Sequence, residues 1–251
     1  MNATHPLAVQ AANASQPASR PRSRFYIAML TIVGAIVVVG FAPTFFLRGF
    51  THATPLSPLY VVHGLVFSAW IMLAIVQSLL VRTSRVHLHR RLGVLGVALA
   101  ASMVLLGATV AIQSLPTSEW PARFGLPPLV FIIVPLGQTA IFGVLVTAAL
   151  LLRRHPETHK RLMVLATINL AAPAIARVHY NLFHVASPML VASTIAMLVI
   201  CCVMVEWRTY RRVHPVFAIA APLTVLSLPL RVAFAHTELW GSFASWMTEN
   251  H

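Results

Sequence analysis

Twelve histidines against one lysine set the chemistry available to this 251-residue chain. Neutral imidazole is the commonest transition-metal ligand among side chains. His5 and His251 lie at the termini. The other ten divide into two groups: His87, His89, His155, His159 and His214 beside arginine clusters, and His52, His63, His179, His184 and His236 at the far ends of the intervening apolar runs. His89 follows His63 by 26 residues, and His184 follows His159 by 25. Helical spacing of that length places one imidazole near each face of a bilayer. A bis-histidine haem needs two imidazoles from different helices, facing each other at one depth. His89 with His159 could supply one such site, and His63 with His184 or His179 a second. Haem b or copper fits these ligands, as does zinc. Histidine is also at home at a membrane interface with no ligand at all, and that alternative stays open. His155 and His159 have chelating i, i+4 spacing. However, Pro156 turns His155 away from helical geometry and reads as the first residue of a helix, with Glu157 near its positive end.

A second chemical feature is a polar stripe. On helical geometry Pro173, Arg177, Tyr180 and His184 return to the direction of His159, and His63, Trp70 and Gln77 share a face of another helix. An arginine at mid-membrane costs roughly 3 kcal/mol on insertion scales, so these two faces are expected to look at each other across a protein interior. Arg177 would anchor an anionic or carbonyl group of a cofactor, a quinone or a lipid. No phosphate-binding loop, dinucleotide fingerprint, HExxH, CxxCH or GxSxG occurs, and no catalytic residues are assigned. The only lysine is Lys160, so the last helix has no retinal attachment point. The adjacent Cys201 and Cys202 imply no disulfide framework.

The elements that must position these groups follow from composition. Hydrophobic residues make up 58% of the chain and charged ones 9%, with no aspartate. Ordinary soluble domains carry about a quarter charged residues, so the bilayer must be the solvent for most of this chain. The expectation is an all-α polytopic membrane bundle of about seven transmembrane helices: residues 25–47, 60–81, 93–115, 128–152, 160–183, 187–207 and 215–235. Residues 1–24 read as a disordered tail, 25–235 as the membrane domain, and 236–251 as an interfacial tail. In that tail Leu239, Trp240, Phe243 and Trp246 are expected on one face.

The net charge of +13 is explained by topology rather than by nucleic acid. Seven spans put fourteen of the basic residues on one side (Arg20, Arg22, Arg24, Arg82, Arg85, Arg90, Arg91, Arg153, Arg154, Lys160, Arg161, Arg208, Arg211, Arg212) and four on the other (Arg48, Arg123, Arg177, Arg231). The positive-inside rule then places the N-terminus in the cytoplasm and the C-terminus outside, in a bacterial inner membrane.

Residues 89–95, HRRLGVL, and 159–165, HKRLMVL, each open a helix, and each follows a helix ending Leu-Leu-Val-Arg or Leu-Leu-Leu-Arg. The second and third spans therefore read as a parallel repeat of the fourth and fifth. The run from His63-Gly-Leu-Val-Phe to His89-Arg-Arg-Leu-Gly resembles a pattern of small bacterial membrane proteins. His159-Lys-Arg-Leu-Met resembles the His-Lys-Lys-Leu-Met segment of the CtaM/YozB-like family, implicated in cytochrome oxidase assembly. The likeness spans residues 60–185; this chain has extra helices at both ends and the two motifs in the opposite order. The resemblance implies a membrane-embedded histidine working with interfacial His-Arg motifs, and respiratory-chain or oxidase components as partners beside the lipid bilayer. Three functions follow: haem or copper binding in electron transfer or oxidase maturation, passage of a small solute along the polar stripe, or a non-catalytic accessory scaffold. Binding is favoured over enzymatic turnover.

Overall fold

The computed structural model describes residues 20–50 and 54–249; most of the expected N-terminal tail, and His5, His52 and His251, lie outside them. Every regular element among the described residues is helical. Helix α1 (Arg20–Phe41) runs into a π-helical turn, Ala42–Phe46. Helices α2 (Pro58–Arg82) and α3 (Val86–Gln113) form a hairpin. Two four-residue turns, Trp120–Arg123 and Pro128–Phe131, lead into α4 (Ile133–Leu151). Then come α5 (Pro156–Leu170), α6 (Ala172–Phe183), α7 (Pro188–Tyr210), α8 (Pro215–Phe234) and α9 (Glu238–Glu249). Among the described residues six helices are long and apolar enough to cross a membrane, and α5 with α6, bent by 40°, brings the number to seven if the pair is taken as one span. The chain is thus an all-α polytopic membrane bundle. Val94, Leu105, Met72 and Ile219 stand well exposed on its outer surface, as lipid-facing side chains must.

Proline sets four of the helix starts. Pro58, Pro156, Pro188 and Pro215 each follow the capping residue, where a missing N–H costs nothing. His155 caps α5, as its position before Pro156 implies. His214 caps α8 with its own side chain: Nδ1 accepts the Val216 N–H at 3.2 Å. Partial burial, with the Arg161 guanidinium nearby, holds the His214 pKa below the usual imidazole value and keeps that acceptor available.

The helices outrun the apolar segments. Helix α3 starts at Val86 rather than near 93, and α7 continues to Tyr210 rather than 207. His89, Arg90 and Arg91 are therefore helical, because the hydrogen-bonded backbone continues past the lipid boundary into the headgroup region. The bend between α5 and α6 falls at Ala171, two residues before Pro173. Proline leaves the carbonyl four residues back without its helical donor. That carbonyl, Asn169 O, accepts a hydrogen bond from Gln138 Nε2 on α4, and Asn169 Nδ2 returns one to Gln138 O at 2.9 Å.

Small residues let backbones approach. A side chain at Gly40 on α1 would collide with the Ala174 backbone on α6, and one at Gly107 on α3 would meet Thr139 on α4. Gly40→Ala is expected to destabilise the bundle by about 1–3 kcal/mol through overpacking. Thermal unfolding in detergent checks this; a variant melting with the parent would contradict so close an approach.

The tail corrects one expectation. Trp240 does not join Leu239, Phe243 and Trp246 on a single face. Its ring packs with Ile132, Ile133 and Ala244, and its Nε1 donates to Leu129 O at 2.7 Å. One residue on a helix turns the side chain by 100°, so Trp240 falls on the inner flank while the other three form an exposed apolar strip.

Candidate functional site

At the end of the bundle rich in arginine, α3 and α5 bring His89 and His159 together. Their ring centroids are 6.4 Å apart, with the planes nearly perpendicular at 82°. His159 Nδ1 lies 2.8 Å from Ala149 O on α4. A carbonyl can only accept, so Nδ1 carries the proton, and in the neutral ring Nε2 holds the free lone pair. That is the arrangement by which a carbonyl orients a metal-binding imidazole. His89 lies close to the Gln77 backbone on α2, and its Nδ1 is buried without a partner, as is Gln77 Oε1. The arginine-rich ends of four helices thus meet around the two imidazoles: α3 and α5 supply the rings, α4 the carbonyl that orients His159, and α2 the backbone beside His89.

The opposite end is arranged differently. His63 on α2 stacks on Phe67 at 4.1 Å, with Nδ1 buried and unpartnered, inside the electrostatic reach of Arg177. His179 turns toward α7. Thr194 spends its hydroxyl proton on Leu190 O, so its oxygen accepts from His179 Nε2 at 3.2 Å, leaving His179 Nδ1 as a buried lone pair. His184 ends α6 in the left-handed region at φ 53°, is exposed, and lies edge-on to Tyr180. Among the described residues no ring contact joins His63 to His179 or His184, so only the His89–His159 pair has its imidazoles in ring contact, edge to face. Arg177 sits half-buried between the Phe41 and Trp120 rings, at 4.3 and 4.8 Å from their centroids.

The facing of α2 and the bent span is carried by side chains. Trp70 is the buried residue of α2; its ring meets Phe142, and its Nε1 donates to Thr167 Oγ1 on α5 at 3.3 Å. Thus one face of α2 presents His63, Trp70 and Gln77 to the interior at three depths.

Two buried polar constellations were not legible in the sequence. Arg161, 1% exposed, forms a two-point ion pair with Glu206, 5% exposed: Nη2 to Oε1 at 2.6 Å and Nε to Oε2 at 3.3 Å. Glu157 adds a second carboxylate to Arg161 at 2.8 Å, and the Tyr26 hydroxyl donates to Glu206 at 3.4 Å. The charge count places Arg161 only on one side of the membrane and carries no sign of its burial; a lone glutamate at 206 in a long apolar run is the available signal. On the other side of the core Arg231 donates to Ser227 O, Val134 O and Gln138 Oε1, each within 3.1 Å.

Among the described residues no group of three or more His, Cys, Asp and Glu side chains could hold a metal ion. Any metal between His89 and His159 would therefore have two protein ligands. No family model, curated protein or solved structure matches the chain, so its function must be argued from this geometry.

Proposed function

We propose that the protein is a multi-pass membrane metalloprotein in which His89 and His159 hold one redox-active metal, haem iron or copper, near the arginine-rich end of the bundle. The 6.4 Å separation of the two rings carries this reading. Metal–imidazole bonds of about 2.0–2.1 Å place two opposed rings roughly 6 Å apart between centroids. A metal there would satisfy the oriented lone pair of His159 and give His89 its missing partner. His89 and His159 would be enough to hold haem iron or copper, and fall short of a closed four-ligand zinc site. Bound haem or copper supplies one-electron chemistry. The chain's residues fix ring orientation: the Ala149 carbonyl on α4 would hold the His159 imidazole by its Nδ1–H.

Topology supports the same reading of place. The charge asymmetry argues for a cytoplasmic N-terminus and a bacterial inner membrane, which puts the His89–His159 pair at the cytoplasmic side. Electron transfer or oxidase maturation, with respiratory components as partners, is the role that fits a redox metal at that depth.

Haem and copper make different demands on Gly93. It stands one turn along α3 from His89, and nothing lies within 4 Å of where its side chain would be. A planar macrocycle needs such room; a bare ion does not. Gly93→Phe is expected to abolish haem binding, leave copper binding in place, and preserve folding. Stepwise reduction of the purified, metal-supplied chain is expected to consume one electron per molecule, and none in His89→Ala. A parent chain that takes up no electrons would overturn the redox reading and leave solute passage or a scaffold role.

A further inference from the structure

At the end of the bundle away from His89 and His159, the Arg177 guanidinium is a half-buried cation without a counter-ion. Its Nη1 donates to Pro173 O at 3.0 Å. Its Nε is shut off from solvent and has no partner. Among the described residues no carboxylate pairs with it; Glu119 is engaged by Arg123, and Glu157 and Glu206 lie at the opposite end with Arg161. The charge acting on it is another cation, Arg123, itself paired with Glu119, so no charge on the described residues neutralises Arg177. The two arginines share the Trp120 ring, Arg177 at 4.8 Å and Arg123 at 5.2 Å, and Phe41 closes over Arg177 at 4.3 Å. These rings fix the guanidinium plane and leave its Nε/Nη2 edge as an unused fork. His63 adds a second stranded polar atom, Nδ1, from a different helix.

We infer that Arg177 and His63 form a binding site for an oxyanion at the edge of the membrane. A guanidinium fork takes a phosphate or carboxylate through two parallel charge-assisted hydrogen bonds, and His63, whose ring also serves the Leu106 backbone, supplies a third donor at Nδ1 once the bound anion stabilises its protonated form. A neutral carbonyl ligand would leave the positive charge uncompensated, so the anion is the better occupant. Headgroup phosphates lie at this depth, and a free anion reaches it from the water; the two sources share the same chemistry.

The test uses the full chain in neutral detergent. Phosphatidylglycerol is titrated and lipid retention read by native mass spectrometry, while inorganic phosphate is followed separately by phosphorus NMR line broadening. One tightly held lipid per chain, weakened roughly tenfold or more in Arg177→Gln, is the expected result for a headgroup. Phosphate broadening that vanishes in Arg177→Gln, with no lipid retained, assigns a soluble anion instead. His63→Ala is expected to weaken whichever ligand binds by less than Arg177→Gln, and keeps the test decisive should Arg177→Gln misfold. Arg123→Gln is expected to leave binding in place, because that guanidinium is already paired. Equal behaviour of the parent and Arg177→Gln toward both probes would overturn the site, as would equal losses in Arg123→Gln, which would mark diffuse charge attraction only.

Discussion

Glu206→Ala is expected to be among the most damaging single substitutions in the chain, lowering stability by about 3–5 kcal/mol. It removes both acceptors that meet the Arg161 fork and leaves a guanidinium that is 1% exposed with only Glu157, whose side chain is half in solvent. The loss comes from stranding a buried charge rather than from the attraction of the pair. Two companions separate those effects. Arg161→Met combined with Glu206→Leu removes both charges and is expected to recover most of the stability, while Glu206→Gln, which keeps one acceptor, falls between. Thermal unfolding in a single detergent checks the series. A Glu206→Ala chain melting with its parent would mean that water reaches Arg161. The pair also ties α5 to α7, and through Tyr26 to α1. Since Arg161 lies two residues after His159, Glu206→Ala is further expected to loosen the His89–His159 site.

His159→Ala is expected to remove bound metal outright while the bundle still folds. The ring is half-buried, and its one hydrogen bond is to Ala149 O, so truncation leaves a single carbonyl unserved at the headgroup boundary. Losing a direct ligand should exceed the 10–100-fold affinity loss typical of altering groups that merely orient ligands. His89→Ala is expected to match it. By contrast His184→Ala and His155→Ala, both at exposed helix ends, are expected to leave metal content unchanged. Metal analysis of the four purified variants checks the pattern. Equal retention in all four would disconnect the His89–His159 pair from metal binding.

The helices were legible because apolar runs of membrane length leave little else for the chain to do, and the prolines at 58, 156, 188 and 215 mark their starts. The bend was foreshadowed by Asn169, Pro173 and Arg177, although its position at Ala171 depends on Gln138 serving the freed carbonyl, a contact 31 residues away that periodicity cannot show. His89 and His159 stood out through their repeated sequence surroundings, and the packing of α2, α3, α4 and α5 turns their rings toward each other. His63 and His184 had the same spacing but not the same outcome. The 40° bend and the left-handed end of α6 leave His184 on the surface. Buried charge was the least legible feature. Arg161 looks like any basic residue at a membrane boundary until α7 extends far enough to bring Glu206 beside it. The split of the tail face was calculable from 100° per residue, yet the choice of Trp240 as the inward residue rests on a tertiary partner, Leu129 O.

The measurement that tests the central claim most directly is an absorption spectrum of the detergent-purified chain, expressed with haem and copper supplied, before and after dithionite reduction, with metal analysis on the same sample. The account predicts close to one metal per chain. If the metal is haem, a Soret band and an α band that sharpens on reduction accompany it; if copper, the stoichiometry appears without those bands. Either signal is lost in His89→Ala and His159→Ala. A colourless, metal-free parent chain would contradict the proposed function and leave the facing histidines as residues of the membrane interface.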